Sequence, residues 1–204
     1  MSQIEHFHNI SRVSDIFINR EYDINRVATM WYEFSKLIPK LLAKLALRTE
    51  SEYAFSRLIS ISNEEMGNGN IKSVHSDLFR EACLEYSIKT NESINIKSFE
   101  VFKDIQSNKF TDSYILGLHL GLEIVANENV EQLIKTLGQS NNNKIALTKF
   151  FTIHLVNEDE HIEKCVHNYK LCKNLDQKSE FMEGFNLSIS FWIKYWNEAA
   201  RNDK

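Results

Sequence analysis

The segment HLVNEDEH places His154, Glu158 and His161 at i, i+4 and i+7. On a helix of 3.6 residues per turn these three side chains share one face, while Asp159 and Glu160 point elsewhere. One helix can therefore present two imidazoles and a carboxylate to a single point, a donor set suited to iron or manganese rather than to thiolate-preferring metals. For the triplet alone, a solvated helix face carrying incidental His and Glu is the competing reading. The preceding FFTIH segment weighs against it, because Phe150, Phe151 and Ile153 are company expected beside a core. Polar groups placed there need partners to offset their desolvation.

Two further segments carry isolated polar residues. In YILGLHLGLEIVA, Glu123 and His119 are the only strongly polar side chains between Ser113 and Asn127. A carboxylate embedded in so apolar a helix is unusual, and a salt bridge at the helix end or one buried hydrogen bond is the structural alternative to functional duty. His119 stands one turn before Glu123, either beside a site or simply packed. In NEEMGNGNIKSVHSDLF, Glu65 and His75 are ten residues apart with Gly67 and Gly69 between them. On an unbroken helix the two would lie roughly 80° out of register, so they can converge only if the helix is interrupted. The glycines offer that interruption, or they form an ordinary surface turn between two helices.

In combination, ExGxG followed by His at ten residues, a lone Glu in an apolar helix, and HxxxExxH in a late helix resemble the haem-oxygenase-like di-iron oxidases and oxygenases. These are relatives of the thiaminase II and pyrroloquinoline-quinone synthase families. The resemblance covers about Trp31 to Lys173. It implies an all-helical haem-oxygenase-like fold and a site in which Glu65, His75, Glu123, His154, Glu158 and His161 hold two irons, with manganese or a mixed pair as variants and O2 as co-substrate. The outcomes it implies are N-oxygenation of amines, oxidative cleavage of fatty or amino acids, and a self-sacrificing synthesis of para-aminobenzoate. That last branch would call on a tyrosine and a lysine, for which Tyr32, Tyr53 and Lys135 are the candidates. The family's late-helix carboxylate is commonly Asp, whereas this chain has Glu158, one methylene longer. Glu65 is chosen over its neighbour Glu64 because it stands two before Gly67 and ten before His75. Two ferrous ions with open positions can share the electrons that O2 reduction requires, and the electron donor is left undefined.

Other readings of the same residues are a metal-free thiaminase-like or quinone-synthase-like enzyme and a non-catalytic helical interaction protein. The first would use a cysteine nucleophile, and Cys83, Cys165 and Cys172 are on offer, although a helical cysteine is more often a small core residue. A haem oxygenase proper needs an early axial histidine, for which His6 and His8 are formally available in a polar stretch expected to fray.

The elements that must position these residues read as helices. Val27 to Leu47 carries an apolar stripe at spacings of three and four, with Pro39 inside it expected to kink the helix or start a new one. Further helices are expected over Ser51 to Glu65, from His75 to about Tyr86, over Ile96 to Ile105, over Thr111 to Ala126 with Thr111 as N-cap, and over Asn129 to Leu137. The last two run from Asn143 to Lys173 and from Asp176, as N-cap, to Arg201. The expectation is an all-α bundle of seven to eight helices in one domain over 1–204, with 1–20 as a segment that can fray.

Composition agrees. Six Gly and one Pro in 204 residues are about 3% against a usual share near 12%, too few for the turns of an all-β fold. The charged fraction of 25% and hydrophobic fraction of 43% belong to a globular chain, not a disordered one. A net charge of -4 gives no basic footprint for nucleic acid. Three cysteines without a close CxxC pair argue against a disulfide framework and fit a reducing cytoplasm. No apolar run is long enough to span a bilayer, so no membrane partner is expected. The remaining partner is a small-molecule substrate; the aromatic stripes and size fit a homodimer as well as a monomer.

Overall fold

Side chains that accept orphan backbone N–H groups mark where the helices begin. The structure is a computed structural model that describes residues 2–18, 20–90, 94–103 and 110–200, the side chains of 156–161 excepted. Among the described residues there is no strand, and the helices are α1 (Gln3–Ser11), α2 (Ile24–Ala46), α3 (Glu52–Glu65), α4 (His75–Glu85), α5 (Asp112–Glu123), α6 (Ala126–Leu137), α7 (Lys149–Leu171) and α8 (Leu175–Ala199). Asp23 caps α2 by accepting from the Arg26 amide at 2.8 Å, Ser51 caps α3, and Thr111 caps α5 by accepting from Tyr114 at 3.3 Å. Ser2 and Glu5 form a reciprocal capping box on α1, inside the stretch expected to fray, and Phe7 of that helix is buried.

Four expectations need correction. No new helix starts at Pro39: α2 continues through it, with the buried Ile38, Leu41, Leu42 and Leu45 holding the turns on both sides and Ser62 donating to the Pro39 carbonyl at 2.8 Å. The helix expected over Ile96 to Ile105 is a 3₁₀ turn over Lys97–Phe102, whose first two amides donate to the carboxylate of Glu198 at 2.9 and 2.8 Å; residues 104 and 105 lie outside the described residues. The helix expected from Asn143 begins instead at Lys149, since Asn142 and Asn143 adopt left-handed backbone conformations and Thr148 is extended. The N-cap of α8 is Asn174, which accepts from Gln177 at 2.8 Å, and Asp176 lies in the first turn, where its charge suits the helix dipole.

The chain divides into two compact units, with boundaries inside α6 and α7. The first comprises 1–20, 96–130 and 155–200. Its centre is the seam between α5 and α8, where the backbones themselves touch. A Cβ at Gly121 would lie 2.6 Å from the Phe185 carbonyl oxygen, and side chains at Gly117 and Gly184 would strike the carbonyls of Phe181 and Tyr114. Ser188 donates to the Leu118 carbonyl at 2.7 Å across this seam. Phe181, Phe185, Phe191, Trp192 and Trp196 of α8 are buried around it. The second unit comprises 21–95, 131–154 and 201–204, of which 201–204 lie outside the described residues. There α2 packs on α3 and α4, and Phe79 of α4 meets Phe150 and Phe151 of α7 edge-on at 5.0 and 6.3 Å.

Candidate metal centre

In the second unit α3 stops at Glu65 because the chain must reverse into the left-handed region. Gly67 and Gly69 have φ of +79° and +81°, with Asn68 at +51° between them. A Cβ at Gly67 would also come within 2.7 Å of the Ser73 carbonyl carbon, so glycine is required there for space as well as for φ. A short 3₁₀ turn over Ile71–Ser73 follows, and α4 opens on His75. The reversal brings the Glu65 carboxylate (Oε2) to 3.1 Å from the Nδ1 of the buried His75.

His154 arrives from α7, where its Nδ1 is 2.8 Å from the Phe150 carbonyl oxygen. A carbonyl can only accept, so Nδ1 carries the proton and Nε2 keeps its lone pair for a ligand. The rings of His75 and His154 meet edge-on at 4.8 Å, and Phe150 lies 4.2 Å from His154 on the core side. One ligand atom from each of Glu65, His75 and His154 falls within 4.8 Å of the other two. Two imidazoles, one with its tautomer fixed by a backbone carbonyl, and one carboxylate fit a divalent iron by donor type and by the support behind the histidine. A cavity of about 450 Å³ in the same unit is lined by Lys36, Pro39, Met66, Val74 and Ser76 among others. Met66, Val74 and Ser76 are the chain neighbours of Glu65 and His75.

The first unit holds a second polar cluster. Glu123 is the last residue of α5, and the Nε2 of the fully buried His119, one turn earlier, is 3.4 Å from its Oε1. That is an ion-pair distance, longer than a well-formed hydrogen bond. The Sγ of the buried Cys165 on α7 is 3.5 Å from the other ring nitrogen, Nδ1.

The structure thus brings together Glu65, His75 and His154, and sets Glu123 against His119. The Glu65 carboxylate, rather than that of Glu64, belongs to the cluster with His75. The side chains of Glu158 and His161 lie outside the described residues. The Nδ1 of His8 pairs with Glu128 at 3.1 Å, while His6 is exposed and stands edge-on to Phe7. Cys83 is buried, and desolvation pushes its thiol up to about 12, which removes it as a nucleophile. Tyr32 is buried under Lys36 and Arg80, whose cationic groups sit 4.8 and 5.9 Å from its ring centre, whereas Tyr53 and Lys135 are exposed. Sequence reading missed three parts of these sites: the Phe150 carbonyl, the Cys165 thiol and the glycine seam. Only the seam left a signal, the four-residue spacing of Gly117 and Gly121.

Residues 25–192 match the iron-containing redox enzymes, and the chain belongs to that family. No curated protein matches it. A solved structure, a CADD-like protein of unknown function from Nostoc punctiforme, is 16% identical, covers 98% of this chain and 90% of its own, and superposes with a TM-score of 0.72. At that identity the likeness establishes the fold, which is the all-α haem-oxygenase-like bundle. Among the described residues no helix is long and apolar enough to cross a membrane.

Proposed function

We propose that this protein is a non-haem di-iron oxidase or oxygenase that uses O2 to oxidise a small organic substrate: an amine, an amino acid or a fatty acid. The observation that carries this reading is the convergence of Glu65, His75 and His154 to within 4.8 Å, in a family of iron-containing redox enzymes. Glu123, Glu158 and His161 are assigned as the remaining ligands. Bound there, two ferrous ions would supply two of the four electrons that full reduction of O2 takes, with the substrate or an external donor supplying the other two. The protein contributes the setting. The Phe150 carbonyl keeps the His154 ring turned with Nε2 outward, and the buried Phe79, Phe150 and Phe151 exclude water from the side behind it. The glycine turn holds Glu65 against the start of α4, so this part of the site is organised before any ion arrives.

The test is anaerobic reconstitution with ferrous iron, followed by an iron count per chain and an O2-uptake trace. About two irons per chain and O2 consumption coupled to iron oxidation are expected. Failure to retain iron, or iron inert to O2, overturns the reading.

A further inference from the structure

The mechanism above uses Glu123 as a ligand but leaves unexplained why a histidine and a thiol are buried behind it. His119 is 0% exposed, within a stretch of α5 whose other residues are apolar or glycine from Ile115 to Leu122. A polar ring in that place costs desolvation unless both nitrogens are engaged. Nδ1 faces the Cys165 Sγ at 3.5 Å, while Nε2, which makes no hydrogen bond, has the Glu123 Oε1 beside it at an ion-pair distance of 3.4 Å. A thiol donates more readily than it accepts, so with S–H directed at Nδ1 the ring proton resides on Nε2, the nitrogen nearer the Glu123 carboxylate. The helix that carries both residues cannot turn to escape this geometry, since the Gly117 and Gly121 backbone is seated against α8.

We propose that His119 is a positioning residue for Glu123, held in the required tautomer by Cys165, so that one carboxylate oxygen is engaged from within the core and the other is presented to iron. This rests on the reading of Glu123 as a ligand. Glu123 ends its helix and has three side-chain torsions, so a contact that restrains its carboxylate lowers the ordering cost when the ion binds. The 3.4 Å separation shortens to hydrogen-bond length when an ion fixes the far oxygen, as contacts in ligand-free sites commonly do.

The experiment measures ferrous-iron affinity anaerobically, by competition with a chromophoric chelator, for wild type and four variants, alongside thermal melting of each iron-free protein. His119→Phe keeps the ring's bulk without its polar atoms. It is expected to weaken one iron equivalent by about tenfold or more and leave the other unchanged. His119→Gln places an amide N–H near the position of Nε2 and should recover most of that loss. Cys165→Ala should weaken the same equivalent by a smaller factor, and Cys165→Ser, which restores a donor, should match wild type. A merely structural role would instead lower both equivalents together with the melting temperature. Unchanged affinities in His119→Phe, or a His119→Gln protein as weak as His119→Phe, overturn the proposal while leaving the di-iron reading intact. Should His119→Phe not fold, the Cys165→Ala and Cys165→Ser pair decides by the same criterion. A wild-type chain that takes up no iron overturns both.

Discussion

The two polar clusters are built on opposite principles. In the second unit, Glu65, His75 and His154 come from three helices, and none of the three is a helical neighbour of another. Their supports are backbone features: a turn that only glycine can make and a carbonyl on the histidine's rear nitrogen. In the first unit, His119 and Glu123 are neighbours on one helix, and their support is a side chain, Cys165, in a seam where two helix backbones touch. The difference teaches how rigidity can be achieved at a candidate ligand. Glu65 and His75, at the end of one helix and the start of the next, are set by the glycine turn between them, whereas Glu123, at the end of α5, has a partner one turn behind it on a helix that cannot rotate.

Removing an assigned ligand has the largest expected effect. His154→Ala and Glu158→Ala should each abolish stoichiometric iron retention after gel filtration, and with it O2 uptake, while the far-ultraviolet dichroism of the iron-free protein stays that of the wild type. Removing one ligand from an ion site need not open the surrounding core. Wild-type iron content in both variants would contradict the ligand assignment.

Breaking the seam comes next. Gly117→Val would drive two methyl groups into the Phe181 carbonyl, a backbone group that cannot swing aside, and the cost should be about 3 kcal/mol or more in urea unfolding. A variant as stable as wild type would show that the α5–α8 approach is looser than described.

The turn sharpens the comparison with the smallest effects. Gly67→Ala and Gly69→Ala each put a Cβ on a left-handed backbone, worth about 1 kcal/mol. Gly67 alone also meets the Ser73 carbonyl, and nothing lies within 4 Å of a Cβ at Gly69. Gly67→Ala should therefore lose more stability and weaken iron binding by moving Glu65 from His75, whereas Gly69→Ala should show the conformational cost alone. Equal iron affinities in the two would mean that the turn does not set the Glu65–His75 distance.

Local chemistry was legible wherever chain neighbours decide the outcome. The cap at Thr111 and the end of α3 before GNGN follow from spacing and side-chain type alone. The convergence of Glu65 and His75 was readable because a glycine break is a local event. Where the reading failed, distant residues had intervened. Glu198 takes the first amides of the 97–102 turn and Ser62 donates to the Pro39 carbonyl of a continuous α2, whereas the α8 cap was a local choice between Asn174 and Asp176.

Sequence by itself determined that this chain is helical, where its candidate ligands lie and what class of ion their donors suit, because periodicity and donor chemistry are properties of short segments. Only the tertiary structure decided which nitrogen of His154 bears the proton and that a thiol stands behind His119. Those choices depend on atoms brought within a few ångströms by packing, and hydrogen bonding and desolvation act only at that range.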